Sequence, residues 1–203
     1  MRRRVPSGAS PWLRTAVLAC LIACSCERAP DRAPGPHADA HPIHAPGATD
    51  TAPQDLPGLH NVVAFHDAFW SGSTPEQDGF ATLAAMGVRT IISVDGAAPD
   101  VESARAHGIR YIHLPIGYDG FDESRELQLA RATQDARHAG AVYIHCHHGK
   151  HRSASAAGTI AVNLGWATPD AMVARMKVSG TSPSYPGLYA CTSSAEPLPP
   201  ERL

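Results

Sequence analysis

No stretch of this 203-residue chain is long and apolar enough to be a permanent bilayer span. The best candidate, Thr15 to Ala23, is far shorter than the ~20 residues a spanning helix needs. A disulfide framework is also missing. Of five cysteines, three (Cys20, Cys24, Cys26) crowd the N-terminus, and Cys146 and Cys191 stand far apart. There is no basic surplus: the formal charge is −2. Four arginines precede the apolar N-terminal run, so the chain without it carries 13 basic against 19 acidic residues. That balance makes a poor general binder of nucleic acid. Glu27 to Pro57 has almost no large apolar side chains, and no internal repeat is evident.

What is present begins with the N-terminus. Arg2, Arg3 and Arg4, a spacer ending in Arg14, then a short apolar core with small residues at its end describe a secretory signal. Leu21-Ile22-Ala23-Cys24 resembles the bacterial lipobox, which implies a signal peptide over 1–23 and a lipid on Cys24. Val17-Leu18-Ala19-Cys20 leaves too short an apolar core, and Cys26 lacks the aliphatic partner. An ordinary cleaved signal with incidental cysteines is the alternative. The expected setting is an exported protein on the periplasmic side of a bacterial envelope, attached to the membrane by lipid. Residues 24–58 follow as a tether rich in Pro, Ala, His and Asp. Its seven prolines from Pro30 to Pro57 deny helix and ladder pairing, and it cannot offset its ordering entropy. His37, His41 and His44 carry imidazoles, but nothing nearby completes a metal site, so no metal or other cofactor is expected.

From about residue 59 the pattern changes. Val62 to Phe65, Phe69 to Gly72, Arg89 to Val94, Arg110 to Leu114 and Val142 to Ile144 read as strands. Thr74-Pro75-Glu76-Gln77 reads as a capped helix start, with Thr74 as cap and Pro75 at the first helical position. Further helices are expected over Pro99 to His107, Glu123 to His138, from Ser153, and from Thr168-Pro169-Asp170. Gly180 to Tyr189 reads as a closing segment and 193–203 as a frayed tail. The alternation predicts an α/β fold of three layers, with a parallel or mixed sheet of four or five strands between helices. Sites in such folds lie beyond the carboxyl ends of the strands.

The stretch AVYIHCHHGKHRSASAAGTIAVNL, from Ala141, reads as buried strand, tight loop and small-residue helix. A cysteine at a helix N-terminus, ringed by amides, has its thiolate favoured. His147 to Arg152 supply an anion nest, and Gly149 lets the backbone curl. Arg152 offers a planar fork to two equatorial phosphoryl oxygens. Ser153 places a hydroxyl near the returning thiolate. Ala154, Ala156, Ala157 and Gly158 are expected to let this helix approach the sheet. The arrangement suits an oxyanion of several charges.

The run HCHHGKHRS resembles the HCxxGxxR(S/T) signature of the protein tyrosine phosphatase superfamily, with dual-specificity-type members nearest in size. GKHR is also similar to the HCKRGKHRTG of atypical plant and fungal dual-specificity phosphatases, with His147 and His148 in place of Lys and Arg. The resemblance spans about Trp70 to Tyr189 and includes SGSTP, GVRTIISV and GIRYIHLPI. It implies a cysteine-phosphatase domain over 59–192 that cleaves phosphate monoesters through a phosphocysteine. Cys146 is implied as nucleophile, Arg152 as phosphate binder, Ser153 as thiolate stabiliser, and an aspartic acid on a separate loop as general acid. Asp119 fits best, Asp122 is the rival, and Glu123 is third. His145 is expected to face inward as support. His147, His148, Gly149, Lys150, His151 and Arg152 form the candidate substrate-binding set, with the side chains of His147 and His148 on the rim.

Asp95-Gly96 reads as a turn, Cys191 as a buried small residue, and Tyr111, Tyr118 and Trp166 as packing. The expected partners are a phosphorylated protein or small phosphate ester and a membrane, with a monomeric chain. A rhodanese-like sulfurtransferase and a non-catalytic phosphate-binding module are the competing readings. The sulfurtransferase needs no general acid, and the GxxRS tail and the Asp119 loop argue against it. The lipid reading has a direct check: radiolabelled palmitate is expected to label the wild-type chain in cells and not Cys24→Ala. Equal labelling of both sinks it.

Overall fold

A computed structural model describes residues 43–203. The signal, Cys24 and most of the expected tether lie outside the described residues. Six strands form one mixed sheet, one more than the largest expected number. They are β1 (Gln54–Leu56), β2 (Leu59–His66), β3 (Phe69–Ser73), β4 (Val88–Ser93), β5 (Arg110–His113) and β6 (Ala141–Cys146), in the order β1-β2-β3-β6-β4-β5. The first three form an antiparallel meander, and β3, β6, β4 and β5 run parallel. Ser73 lies opposite Cys146, and Ser93 lies opposite His145 and His113. One edge of the sheet therefore collects the C-terminal ends of four strands.

Side chains alternate across each strand, and this divides the core into two clusters. Ile91, Tyr143, Val62 and Trp70 meet Phe80 and Leu83 of α1 (Gln77–Ala85) and Ala104 of α2 (Val101–Ala106). Ile92, Val142, Ile144 and Phe69 meet the other four helices. Those are α3 (Glu123–Arg137), α4 (Arg152–Asn163), α5 (Pro169–Val178) and α6 (Pro186–Ser193). The three-layer expectation holds. Thr168 caps α5 as its position implied, accepting from the Ala171 amide.

Every residue of α4 is buried, because it lies under the sheet and between α5 and α6. A Cβ on Gly158 would sit 2.9 Å from Thr192 and 3.3 Å from Met172. Its small size thus serves contact with α5 and α6, where contact with the sheet was expected.

Three expectations are corrected. Thr74 does not cap α1; the N-cap is Glu76, and the Thr74 hydroxyl turns toward β6. The ordered chain also begins before residue 59. Trp70 Nε1 donates to Pro46 O at 2.8 Å, Arg175 Nη1 donates to Asp50 O, and β1 pairs with β2. A buried indole and a half-buried guanidinium find their acceptors in what read as a tether. Finally, 193–203 is packed, although it read as frayed. Leu198 N donates to Asn163 O at 2.8 Å, Arg131 Nε donates to Arg202 O at 2.7 Å, and Ala195 is buried. Among the described residues no helix is long and apolar enough to cross a membrane.

The N-terminal correction predicts a stability difference. Hydrogen bonds involving charged or buried donors contribute about 1–3 kcal/mol each. A fragment spanning 43–203 is expected to resist urea better than one spanning 59–203, by roughly 2–5 kcal/mol. Coincident unfolding curves would show that residues 43–58 do not matter.

Candidate active site

The loop after β6 is held by its close approach to β3. Gly149 has φ +71, and a Cβ there would lie 2.5 Å from the Ser73 amide and 2.8 Å from Gly72 Cα. Gly72 is itself pinned from beneath, where the buried Tyr143 hydroxyl occupies the space a Cβ would need. Tyr143 is spent as a donor to Ser73 O at 2.8 Å. A side chain at Gly149 would push the loop off the strand, and one at Gly72 would collide with Tyr143.

Three loop carbonyls face outward and are tied down. His147 O accepts from Thr74 N at 3.3 Å, Gly149 O from Asn61 Nδ2 at 3.0 Å, and Lys150 O from Thr181 Oγ1 at 2.6 Å. In a trans peptide the following N–H points the opposite way. The amides of His148, Lys150 and His151 are thereby turned toward the loop's interior. Asn61 sits in the left-handed region at φ +56, which asparagine tolerates better than most residues. It also donates to Ser179 O at 3.0 Å, bridging the loop to the end of α5.

Inside this frame Cys146 Sγ lies 3.3 Å from Ser153 Oγ, both buried. Arg152 opens α4 and is only 9% exposed. Its Nη2 lies 3.4 Å from Asp95 Oδ2, its Cζ lies 4.6 Å from the Tyr118 ring, and its buried Nε has no partner among the described residues. Burial alone would raise Asp95, but the Ala97 amide, the Arg152 guanidinium and the Gly96 amide outweigh it and hold the carboxyl below its ordinary value. Asp95 does make the expected turn, accepting from Ala97 N at 3.1 Å. It is also the ion partner of Arg152, which the turn reading missed. Its signal was its place directly after β4, which neighbours β6.

Tyr118 packs, as expected, but at the surface of the site rather than in the core. It is 39% exposed and joins Tyr185 (ring centroids 4.7 Å) and His151 in an aromatic wall beside Arg152. Trp166 does pack, stacking on His66 and meeting Phe69 edge-on. Cys191 is half-buried and touches the backbone of Phe121.

The loop side chains divide between two flanks. His147 and His148 are exposed, with rings 4.4 Å apart. With Lys150 they line a cleft of about 710 Å³ on the β1–β3 side, opposite Asp55, His60 and Glu76. His151 faces the other side, where its Nδ1 accepts from Ser182 N at 3.2 Å. Burial lowers its pKa, and Lys150, His148 and Arg152 lower it further.

The acid candidates also separate. Asp122 caps α3, accepting from Arg125 N at 2.8 Å, and Glu123 pairs with Arg202 at 2.8 Å. Asp119 is exposed in the loop next to Tyr118, and among the described residues no hydrogen bond or ion pair engages its carboxylate.

The fold has many relatives among solved structures. TpbA of P. aeruginosa superposes with a TM-score of 0.62 at 22% identity, covering 71% of this chain and 90% of that one. This is the cysteine-phosphatase fold. The catalytic domain of the PP-IP phosphatase SIW14 from S. cerevisiae shares it, with a TM-score of 0.55 at 16% identity over 70% of this chain and 89% of that one. So does human DUSP28, with a TM-score of 0.55 at 19% identity over 70% and 93%. No family model matches the sequence, and no curated protein does. The structural neighbours are thus phosphatases of the superfamily that the loop motif resembles.

His145 is buried behind the loop, and its titration is coupled to folding. It is 2% exposed, with Nε2 2.5 Å from the Tyr111 hydroxyl and Nδ1 3.3 Å from Thr74 Oγ1. The Thr74 hydroxyl donates to Cys146 O, so it accepts from His145 Nδ1–H, and Nε2 accepts from Tyr111. Burial lowers the His145 pKa from 6.5 to about 4. Between those values the unfolded chain binds the extra proton, so stability is full above pH 6.5 and falls as pH drops toward 4. The loss is on the order of 3 kcal/mol. His66 and His151, whose burial also lowers them, act in the same direction below pH 6.5. Urea unfolding of His145→Asn is therefore expected to show a flatter pH slope than wild type, and identical slopes would refute the buried neutral imidazole.

Proposed function

We propose that this chain is a phosphatase that hydrolyses phosphate monoesters through a phosphocysteine. The observation that carries the reading is the buried guanidinium of Arg152. It is oriented by Asp95 and Tyr118 beside a cysteine at a helix start, and its Nε is a donor in want of an anion.

In this reading the phosphoryl group sits within the loop, with its equatorial oxygens on the inward amides and Arg152. The Cys146 thiolate attacks phosphorus in line. The bond to the leaving oxygen breaks, and Asp119 gives that oxygen its proton. Asp119, now a carboxylate, takes a proton from a water that attacks the phosphocysteine. The P–S bond breaks, inorganic phosphate leaves, and Ser153 Oγ donates to the returning thiolate at the 3.3 Å separation seen here. The assignment to Asp119 is supported by the structural duties of Asp122 and Glu123.

A TpbA variant with serine for its cysteine has been crystallised in complex with phosphotyrosine, and SIW14 is a PP-IP phosphatase. By that likeness the substrate here is a phosphorylated protein or a small phosphate ester. The rest of the substrate extends into the cleft lined by His147, His148 and Lys150. An exported chain held by a lipid on Cys24 would meet such substrates in the cell envelope.

The full chain is expected to hydrolyse p-nitrophenyl phosphate in EDTA, and Cys146→Ser to abolish turnover. Full activity in Cys146→Ser refutes the mechanism. On phenyl phosphate, Asp119→Asn should lose about 10²–10⁴-fold in kcat/KM. Asp122→Asn should lose far less, and the reverse order moves the acid.

A further inference from the structure

The loop that carries Asp119 does not end in solvent; it rests on α6. Gly187, in the first turn of that helix, faces the Asp119 backbone. A Cβ on Gly187 would fall inside the van der Waals shell of the Asp119 carbonyl and lie 3.0 Å from Asp119 Cα. One residue on, Gly120 has φ +104, and a Cβ there would lie 2.9 Å from Cys191 Sγ and 3.1 Å from Gly187 O. Cys191 Sγ accepts from Phe121 N at 3.4 Å and donates to Phe121 O at 3.6 Å. Burial pushes its thiol up, which keeps the S–H donor in place. Tyr118 packs on Tyr185, the N-cap of α6, and Asp119 and Gly187 line one recess of about 290 Å³.

The other side of α6 is bonded to the helix that begins with Arg152. Ser155 Oγ donates to Leu188 O at 2.8 Å, Thr192 Oγ1 donates to Ser155 O at 3.2 Å, and Thr159 and Thr192 hydroxyls meet at 3.3 Å. A single rigid path thus joins the phosphate-loop helix to the acid loop.

We propose that α6 is the seat of the acid loop, with Gly187 and Cys191 as positioning residues that hold Asp119 beside the phosphate loop. This rests on the phosphatase reading with Asp119 as general acid. The backbone at Gly187 lies outside the left-handed region, and alanine favours a helix over glycine. Gly187→Ala therefore leaves α6 itself undisturbed and acts by displacing Asp119.

A displaced acid has a distinctive kinetic signature. A leaving group that departs readily without a proton, such as p-nitrophenolate, needs the acid little, whereas phenolate needs it much. The ratio of kcat/KM for p-nitrophenyl phosphate to that for phenyl phosphate reads this difference, because kcat/KM reports steps only through leaving-group departure. In the full chain, Gly187→Ala is expected to raise the ratio at least about 10-fold, in the direction of Asp119→Asn. Its thermal midpoint should stay close to wild type. Cys191→Leu, which drives bulk toward Gly120, is expected to shift the ratio the same way and decides the matter should Gly187→Ala not fold. A wild-type ratio in these variants, with a raised ratio in Asp119→Asn, overturns the seat alone. Equal loss on both esters also overturns it, since that marks general damage. An unchanged ratio in Asp119→Asn overturns the acid assignment on which the seat rests.

Discussion

The site depends on one close contact, the backbone of Gly149 against the backbone of Gly72 and Ser73. Two strands in register bring Ser73 opposite Cys146, but only the absence of a side chain at Gly149 lets the following loop fold back onto β3. Tyr143 fills the space beneath Gly72, so the strand cannot yield downward. The loop is thus trapped between a rigid floor and the outward ties of its own carbonyls. Its amides face inward as a consequence, because each peptide plane has only two sides.

Charge is arranged around that trap in a graded way. Arg152 is buried, and its cost is met by Asp95 and the face of Tyr118, while one donor stays open. His145 is kept neutral behind the loop by its burial and accepts from a phenol whose own pKa burial raises. The two flanks then differ in chemistry. One is a polar cleft of histidines, a lysine and two carboxylates. The other is an aromatic wall of Tyr118, Tyr185 and His151, next to Asp119. The proposed hydrolysis draws on both flanks, with the loop as cradle for the phosphoryl group and Asp119 as its proton source.

Much of the fold could be read along the chain. The strand–loop–helix around Cys146 and the strands before it were legible from periodicity, glycine stops and the cap at Thr168. Thr74 misled because its local context, before proline and a Gln three residues on, is that of a cap. Tertiary packing offered its hydroxyl a better-placed partner in β6. The segment from 43 to 58 misled because proline content forecasts only the absence of regular pairing. It says nothing about a carbonyl that serves as acceptor for Trp70 or Arg175.

The sequence by itself determined the local form of the loop. The order of cysteine, glycine, arginine and serine within one turn sets their relative positions, since a strand–loop–helix of that length has few ways to close. What surrounds the loop was decided by tertiary structure alone. Asp95, Asn61, Tyr118 and Gly187 are separated from Cys146 by tens of residues, and only the strand order brings β4 and the β5 loop beside β6. Nothing local to an Asp-Gly pair distinguishes a turn from the partner of a buried guanidinium. That difference arises when the sheet forms and the arginine, cut off from water, requires a counter-charge within reach.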